Sequence, residues 1–151
     1  MAEGPLAGYP VVDVRCEVYD GKMHPVDSKD IAFQKAGREA FKAAMKQAKP
    51  VLLEPIVNLE VTFPVEAMGD IQGDLNRRRA RVIGADSMGA FQSLKAQVPL
   101  AEIADYASSL GSMTGGQGAY GVEMSHYEIV PPNIQQKVCD AAKAELEKDE
   151  S

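Results

Sequence analysis

Hydrophobic and polar positions change period several times along the chain, and each change predicts an element. Residues 11–19 alternate strictly, with Val12, Val14, Cys16 and Val18 set against Asp13, Arg15, Glu17 and Tyr19, the pattern of a half-buried strand. Asp20-Gly21 and Pro25 then punctuate a turn. A long helix is expected from an N-cap at Asp27 or Ser28 to about Lys49, because Pro50 cannot continue it. On that helix Phe33, Gly37, Ala40, Phe41, Ala44 and Ala48 fall on one side, and Lys35, Arg38, Lys42, Lys46 and Lys49 line the other.

Residues 56–63 alternate again through Val57, Leu59, Val61 and Phe63. A helix follows with Val65, Met68, Ile71 and Leu75 at helical spacing. Strands near 80–85 and 91–98 flank the turn Asp86-Ser87-Met88-Gly89, and a second helix carries Leu100, Ile103, Tyr106 and Leu110. A last strand over about 119–127 sets Tyr120, Val122, Met124 and His126 on one face, which predicts a partly buried, structural His126. A shift of 35 residues superposes Pro64 on Pro99, Val65 on Leu100, Met68 on Ile103, Asp70 on Asp105, Ile71 on Tyr106 and Leu75 on Leu110. Two strand–helix–strand units in tandem predict a βαββαβ ferredoxin-like sandwich over 53–130. The fold class is therefore α+β: a strand-loop-helix piece over 1–52, the sandwich over 53–130, and a C-terminal helix and tail over 131–151.

Charge changes the picture more than composition does. The net charge of −6 argues against nucleic acid, but residues 1–52 sum to +1, residues 53–130 to −5 and residues 131–151 to −2. Local fields decide such contacts. The lysine stripe is either an ordinary solvated face or a phosphate-tracking one, and only Glu39 stands close enough to neutralise it within the helix. Arg77-Arg78-Arg79 is the densest cationic spot of the acidic segment. One account is dipole compensation at a helix C-terminus; the preferred one is phosphate contact by at least one of the three.

Other chemistry is sparse. No G-x-x-x-x-G-K-[ST] is present. Gly116, Gly118 and Gly121 spell G-x-G-x-x-G, but they follow a predicted helix and enter a strand, the reverse of a dinucleotide fingerprint. His24 and His126 lie far apart, and Cys16 and Cys139 are the only cysteines, so neither a metal site nor a disulfide scaffold is expected. Cys16 reads as a small hydrophobe on an apolar strand face, and Cys139 has no activating base nearby in sequence. No membrane span or signal peptide is legible, which places the chain in the cytoplasm.

Several collinear motifs resemble elongation factor G: GYPVVDV (8–14), YDGKMHPVDS (19–28), AKPVLLEPI (48–56), MGDIQGDLNRRR (68–79), VPLAEIADYASSLGSMTGGQG (98–118) and HYEIVP (126–131). The resemblance implies the second half of domain IV over 1–52, domain V over 53–130, and a closing C-terminal helix. It implies a fragment of a larger GTPase acting in translocation, with GTP and Mg2+ bound only in the parent's missing G domain and no cofactor or catalysis here. The partner it implies is the ribosome, meaning ribosomal RNA of both subunits and the tRNA and mRNA of the decoding region, with no membrane and no DNA. Asp20, Gly21, Lys22, Met23 and His24 match the domain IV tip loop. Lys35, Arg38, Lys42, Lys46, Lys49, Arg77, Arg78, Arg79 and Gln117 are the RNA-contact candidates. Arg79-Ala80 stands where the family commonly has a glycine after its arginine pair, Gln117 where it has an arginine, and Met124-Ser125 where it has Phe-Asp. These departures suggest a specialised paralogue as one alternative; a stand-alone ferredoxin-like ligand-binding module is another.

Overall fold

The computed structural model describes residues 4–23 and 29–149. Two compact units divide the chain: Leu53–Ile129, and the segments either side of it.

The first strand, β1 (Leu53–Pro64), ends on Pro64 in extended geometry, a 3-10 turn covers Val65–Ala67, and α2 runs over Met68–Arg77. The second half repeats the pattern: β3 (Phe91–Pro99) ends on Pro99, a 3-10 turn covers Leu100–Ile103, and α3 spans Tyr106–Thr114. Proline explains both corners, since its fixed φ suits the last strand position and the first turn needs no N–H from it. With β2 (Arg81–Met88) and β4 (Ala119–Ile129), the strands form one antiparallel sheet in the order β2-β3-β1-β4. The expected βαββαβ order is present.

One sheet face carries Val57, Leu59, Val61, Phe63, Leu94 and Val98 into a core closed by Ile71 and Leu75 of α2 and Tyr106 and Leu110 of α3. Each such side chain contributes roughly 1.5–3 kcal/mol by leaving water. The repeat pairs Ile71/Tyr106 and Leu75/Leu110 are all in that core. Gly115 and Gly116 both take positive φ, and the Gly116 N–H reaches the Gly111 carbonyl at 2.9 Å, which ends α3. The glycine run thus links a helix to a strand.

His126 departs from the expectation. Met124 stands opposite Val57 and His126 opposite Ile56, with the register shifting between those adjacent β1 residues. Ser125 is the extra residue of a bulge, so His126 turns onto the sheet face away from the helices, where it is half exposed. Simple alternation of period two does not survive a bulge.

In the other unit, α1 covers Asp30–Gln47, with Lys29 as an N-cap that makes no side-chain bond; Asp27 and Ser28 lie outside the described residues. Residues 11–19 form no strand: Val12, Val14 and Val18 are at least half exposed, and Cys16 is exposed as well. A strand needs a neighbour's N–H and C=O groups, and no described segment supplies them to this one. The expectation of a half-buried strand, and of Cys16 packed on its apolar face, is therefore corrected. The last helix, α4 (Pro132–Asp149), packs Ile134, Val138 and Cys139 around Leu52 and Val130, with Leu6 and Ala7. The Leu52 N–H donates to Gln135 Oε1 at 2.9 Å.

Candidate nucleic-acid interface

The basic stripe of α1 forms because residues spaced by three and four share a helix face. Lys35, Arg38, Lys42, Lys46 and Lys49 are all exposed. Among the described residues only Lys42 has a carboxylate near, Glu39 at 3.5 Å, and that pair is solvent-screened. The helix ends at Gln47, and Lys49 takes a positive φ of 52° directly before Pro50. The result is a row of cations with no internal role among the described residues. Before α1, Asp20, Gly21, Lys22 and Met23 are exposed, with the Gly21 N–H bonded to Asp20 Oδ1 at 2.7 Å. His24 lies outside the described residues.

The three arginines separate into distinct roles. The Arg78 guanidinium is nearly buried, its side chain 12% exposed. It donates to Asp74 Oδ2 at 2.7 Å, Asp105 Oδ1 at 2.6 Å, Ser109 Oγ at 2.8 Å and the Glu102 carbonyl at 2.5 Å, and lies 5.2 Å from the Tyr106 ring centroid. Arg79 grips Glu54 with two bonds of 2.8 and 2.7 Å and reaches Glu102 Oε1 at 3.0 Å. Both guanidinium pKa values are raised, first by the hydrogen bonds to Asp105 and Glu54 respectively. The same contact with Arg78 holds the Asp105 carboxyl below its ordinary value. Every guanidinium nitrogen of both makes at least one bond within the chain, so Arg78 and Arg79 are corrected from RNA-contact candidates to clamps joining α2 to α3 and to β1. Arg77 differs: its side chain is 78% exposed, and Asp74 lies 3.6 Å away. That pair is solvent-screened on the arginine side, and Gln117 on the loop before β4 is exposed as well.

Sequence reading missed the partners of this clamp, although Asp74 and Arg78 stand at i and i+4, a spacing that signals pairing. Glu54 and Glu102 carried no comparable local signal, because only the fold brings them to Arg79.

The chain thus carries a helix with a cationic face and, after it, a sandwich whose repeat halves are clamped by arginines. Known families contain the same two parts in the same order. Residues 51–138 match the family "Elongation factor G C-terminus", and residues 1–49 match "Elongation factor G, domain IV". The chain belongs to the elongation factor G family. It is 48% identical over 151 residues to a Thermotoga maritima "Elongation factor G-like protein", covering 99% of this chain and 22% of that one. It is 52% identical over 138 residues to Aquifex pyrophilus "Elongation factor G", covering 91% of this chain and 20% of the relative. A crystal structure from Thermus thermophilus superposes with a TM-score of 0.76 at 46% identity, over 94% of this chain and 22% of that one. The chain thus spans about a fifth of the length of the curated relatives it matches.

Within that family the chain holds part of domain IV and the C-terminal region. Among the described residues no cluster of His, Cys, Asp and Glu could hold a metal ion. No described helix is long and apolar enough to cross a membrane.

Proposed function

We propose that this chain is a ribosome-binding region of a translational GTPase acting in tRNA and mRNA translocation, and that it meets ribosomal RNA through the α1 stripe and Arg77. The observation that carries the reading is the exposed row Lys35, Arg38, Lys42, Lys46 and Lys49, present in a protein of net charge −6 with only Glu39 beside it among the described residues. Phosphate is the ligand such a row fits, because closely spaced cations gain by displacing its counterions. Gln117 and the tip loop from Asp20 to His24 complete the contact set, the tip loop reaching the decoding region and Arg77 and Gln117 the large subunit. The mechanism is that of a rigid lever in the cytoplasm: GTP and Mg2+ act in the parent's G domain, and this region transmits the motion.

Replacing Lys35, Arg38 and Lys42 together by Glu tests the reading. Co-sedimentation with purified ribosomes is expected to fall sharply, while helicity by circular dichroism stays unchanged. Undiminished co-sedimentation sinks it.

The departures from the family's common residues at Arg79-Ala80, Gln117 and Met124-Ser125 favour a second reading, a specialised paralogue of the translocase. Growth of a translocase-depleted strain on the full-length parent counts against that reading.

A further inference from the structure

The bulge in β4 brings three hydrogen-bonded side chains onto one sheet face. Successive strand residues normally point to opposite faces, but the extra residue of a bulge lets two neighbours share one. Ser125 and His126 are such a pair, and Glu128, two residues beyond His126, follows on the same face by ordinary alternation. Ser125 Oγ lies 2.9 Å from His126 Nδ1, and His126 Nε2 lies 2.8 Å from Glu128 Oε1. Serine supplies the hydroxyl at a position where the family commonly has aspartate. Ser125 is exposed and His126 half-exposed, so a small molecule reaches both.

Charge assigns the direction of each bond. Arg81 donates to the same Glu128 oxygen at 2.7 Å, and the bonds from His126 and Arg81 hold the Glu128 carboxyl below its usual range. An ionised carboxylate only accepts, so the proton of neutral His126 is on Nε2. Its Nδ1 lone pair then faces the Ser125 hydroxyl, which donates. Hydroxyl, base and a third group that orients the base make up an activated nucleophile. The ring nitrogens are exchanged relative to the Ser-His-Asp arrangement of serine hydrolases, but either nitrogen can hold the lone pair. Gln97 Nε2, 3.5 Å from Ser125 Oγ, is a neutral donor beside the attacking oxygen. The charged groups around His126 are Glu128 on its own strand and Arg81 on β2. Glu54, opposite Glu128 on β1, is held by Arg79.

We propose that Ser125, His126 and Glu128 form a nucleophilic site that is acylated on Ser125 and hydrolyses small, unhindered carboxylic esters. Ser125 Oγ attacks the carbonyl carbon as its proton passes to His126 Nδ1. The bond to the leaving alcohol breaks, and that alcohol takes the proton from Nδ1. Water then attacks acyl-Ser125 and gives a proton to Nδ1; the carboxylic acid leaves as Oγ regains its proton. Ser125 and His126 are the catalytic residues, and Glu128 and Arg81 position the ring. The site stands independently of RNA contact by α1.

The test follows p-nitrophenyl acetate with the full chain and maps acetyl groups by mass spectrometry after acid quenching. A burst of p-nitrophenolate with acetyl on Ser125, followed by steady turnover, is expected. Ser125→Ala and Ser125→Asp should lose burst and adduct while keeping the wild-type melting temperature, since the side chain is exposed. His126→Gln should slow acylation by about 100-fold or more. Glu128→Gln should move the midpoint of the rate–pH profile downward, because an imidazolium without its carboxylate loses its proton more readily; a merely structural role leaves the midpoint in place. Acetyl groups confined to lysines, or an equal burst in Ser125→Ala, overturn the proposal. Acetyl-Ser125 that never turns over overturns the hydrolytic step.

Discussion

Arg78→Ala isolates the clamp that distinguishes this arginine from its neighbour. The substitution strips Asp74, whose side chain is 11% exposed, of its short bond and leaves only Arg77 at 3.6 Å. A charge-assisted bond of this kind contributes about 1.5–3 kcal/mol. The Glu102 carbonyl loses a donor worth about 1 kcal/mol, and the Tyr106 face loses a cation worth about 0.5–1 kcal/mol. Asp105, its side chain 73% exposed, returns to water and adds little. The expected loss is therefore about 3–5 kcal/mol, the range for breaking a buried pair. For a domain the size of Leu53–Ile129 this lowers the melting temperature by roughly 12–40 °C, at 4–8 °C per kcal/mol. Arg77→Ala, which removes an exposed side chain, is expected to cost no more than about 0.5 kcal/mol. Arg78→Lys keeps the charge without the planar fork and falls between them. Urea unfolding of the three variants, followed by circular dichroism, measures all of this. Equal midpoints for Arg77→Ala and Arg78→Ala refute the clamp.

Three further outcomes follow from the same geometry. Burial pushes the Tyr106 phenol up to about 12, and its hydroxyl lacks a partner among the described residues. Its raised pKa gives stability that is fully present below the ordinary tyrosine value near 10 and lost as pH rises through about 12. The 295 nm difference titration of wild type minus Tyr106→Phe should show its step at the upper value, and a step at the ordinary one contradicts this. Asp105 and Glu128 are held below their usual range, first by the bonds from Arg78 and His126 respectively. That contribution is present above the unfolded carboxylate values near 4 and fades as pH falls through the depressed folded ones. Asp105→Asn should flatten the acid limb of urea midpoints between pH 6 and pH 2 only slightly, because this side chain is largely exposed; a steeper limb refutes the pairing. Arg79→Gly relieves a left-handed backbone, worth about 1 kcal/mol, but breaks the two-bond grip on Glu54. The pair is partly buried, so a net loss of about 1–2 kcal/mol is expected on thermal unfolding, and a gain would show that the pair contributes nothing.

The sandwich was legible because two independent signals agreed. Period-two runs marked the strands, and the repeat placing Pro64 on Pro99 marked both corners where strand gives way to turn. His126 was misplaced because a bulge at Ser125 leaves no mark in an alternating pattern. Residues 11–19 show the opposite failure: the pattern specifies a strand face, but a strand also requires a partner, and no described segment provides one. The arginine triplet was read as one feature, yet its members diverge because consecutive side chains on a helix end point in different directions. Only the tertiary fold brings Glu54, Glu102 and Asp105 to two of them. The α1 stripe was legible for Lys35, Arg38, Lys42 and Lys46, since helical spacing determines which of them share a face. Lys49, however, lies past the end of the helix in a left-handed conformation that the spacing does not show.

The most direct test of the account is the salt dependence of ribosome binding by wild type and by Lys35→Glu/Arg38→Glu/Lys42→Glu. Each phosphate contact contributes a slope of about 0.7–0.9 to the plot of log affinity against log salt. If the stripe tracks phosphate, the triple variant binds more weakly and its slope is shallower by about 2–3 units. Identical slopes and affinities would contradict the claim that this helix meets RNA.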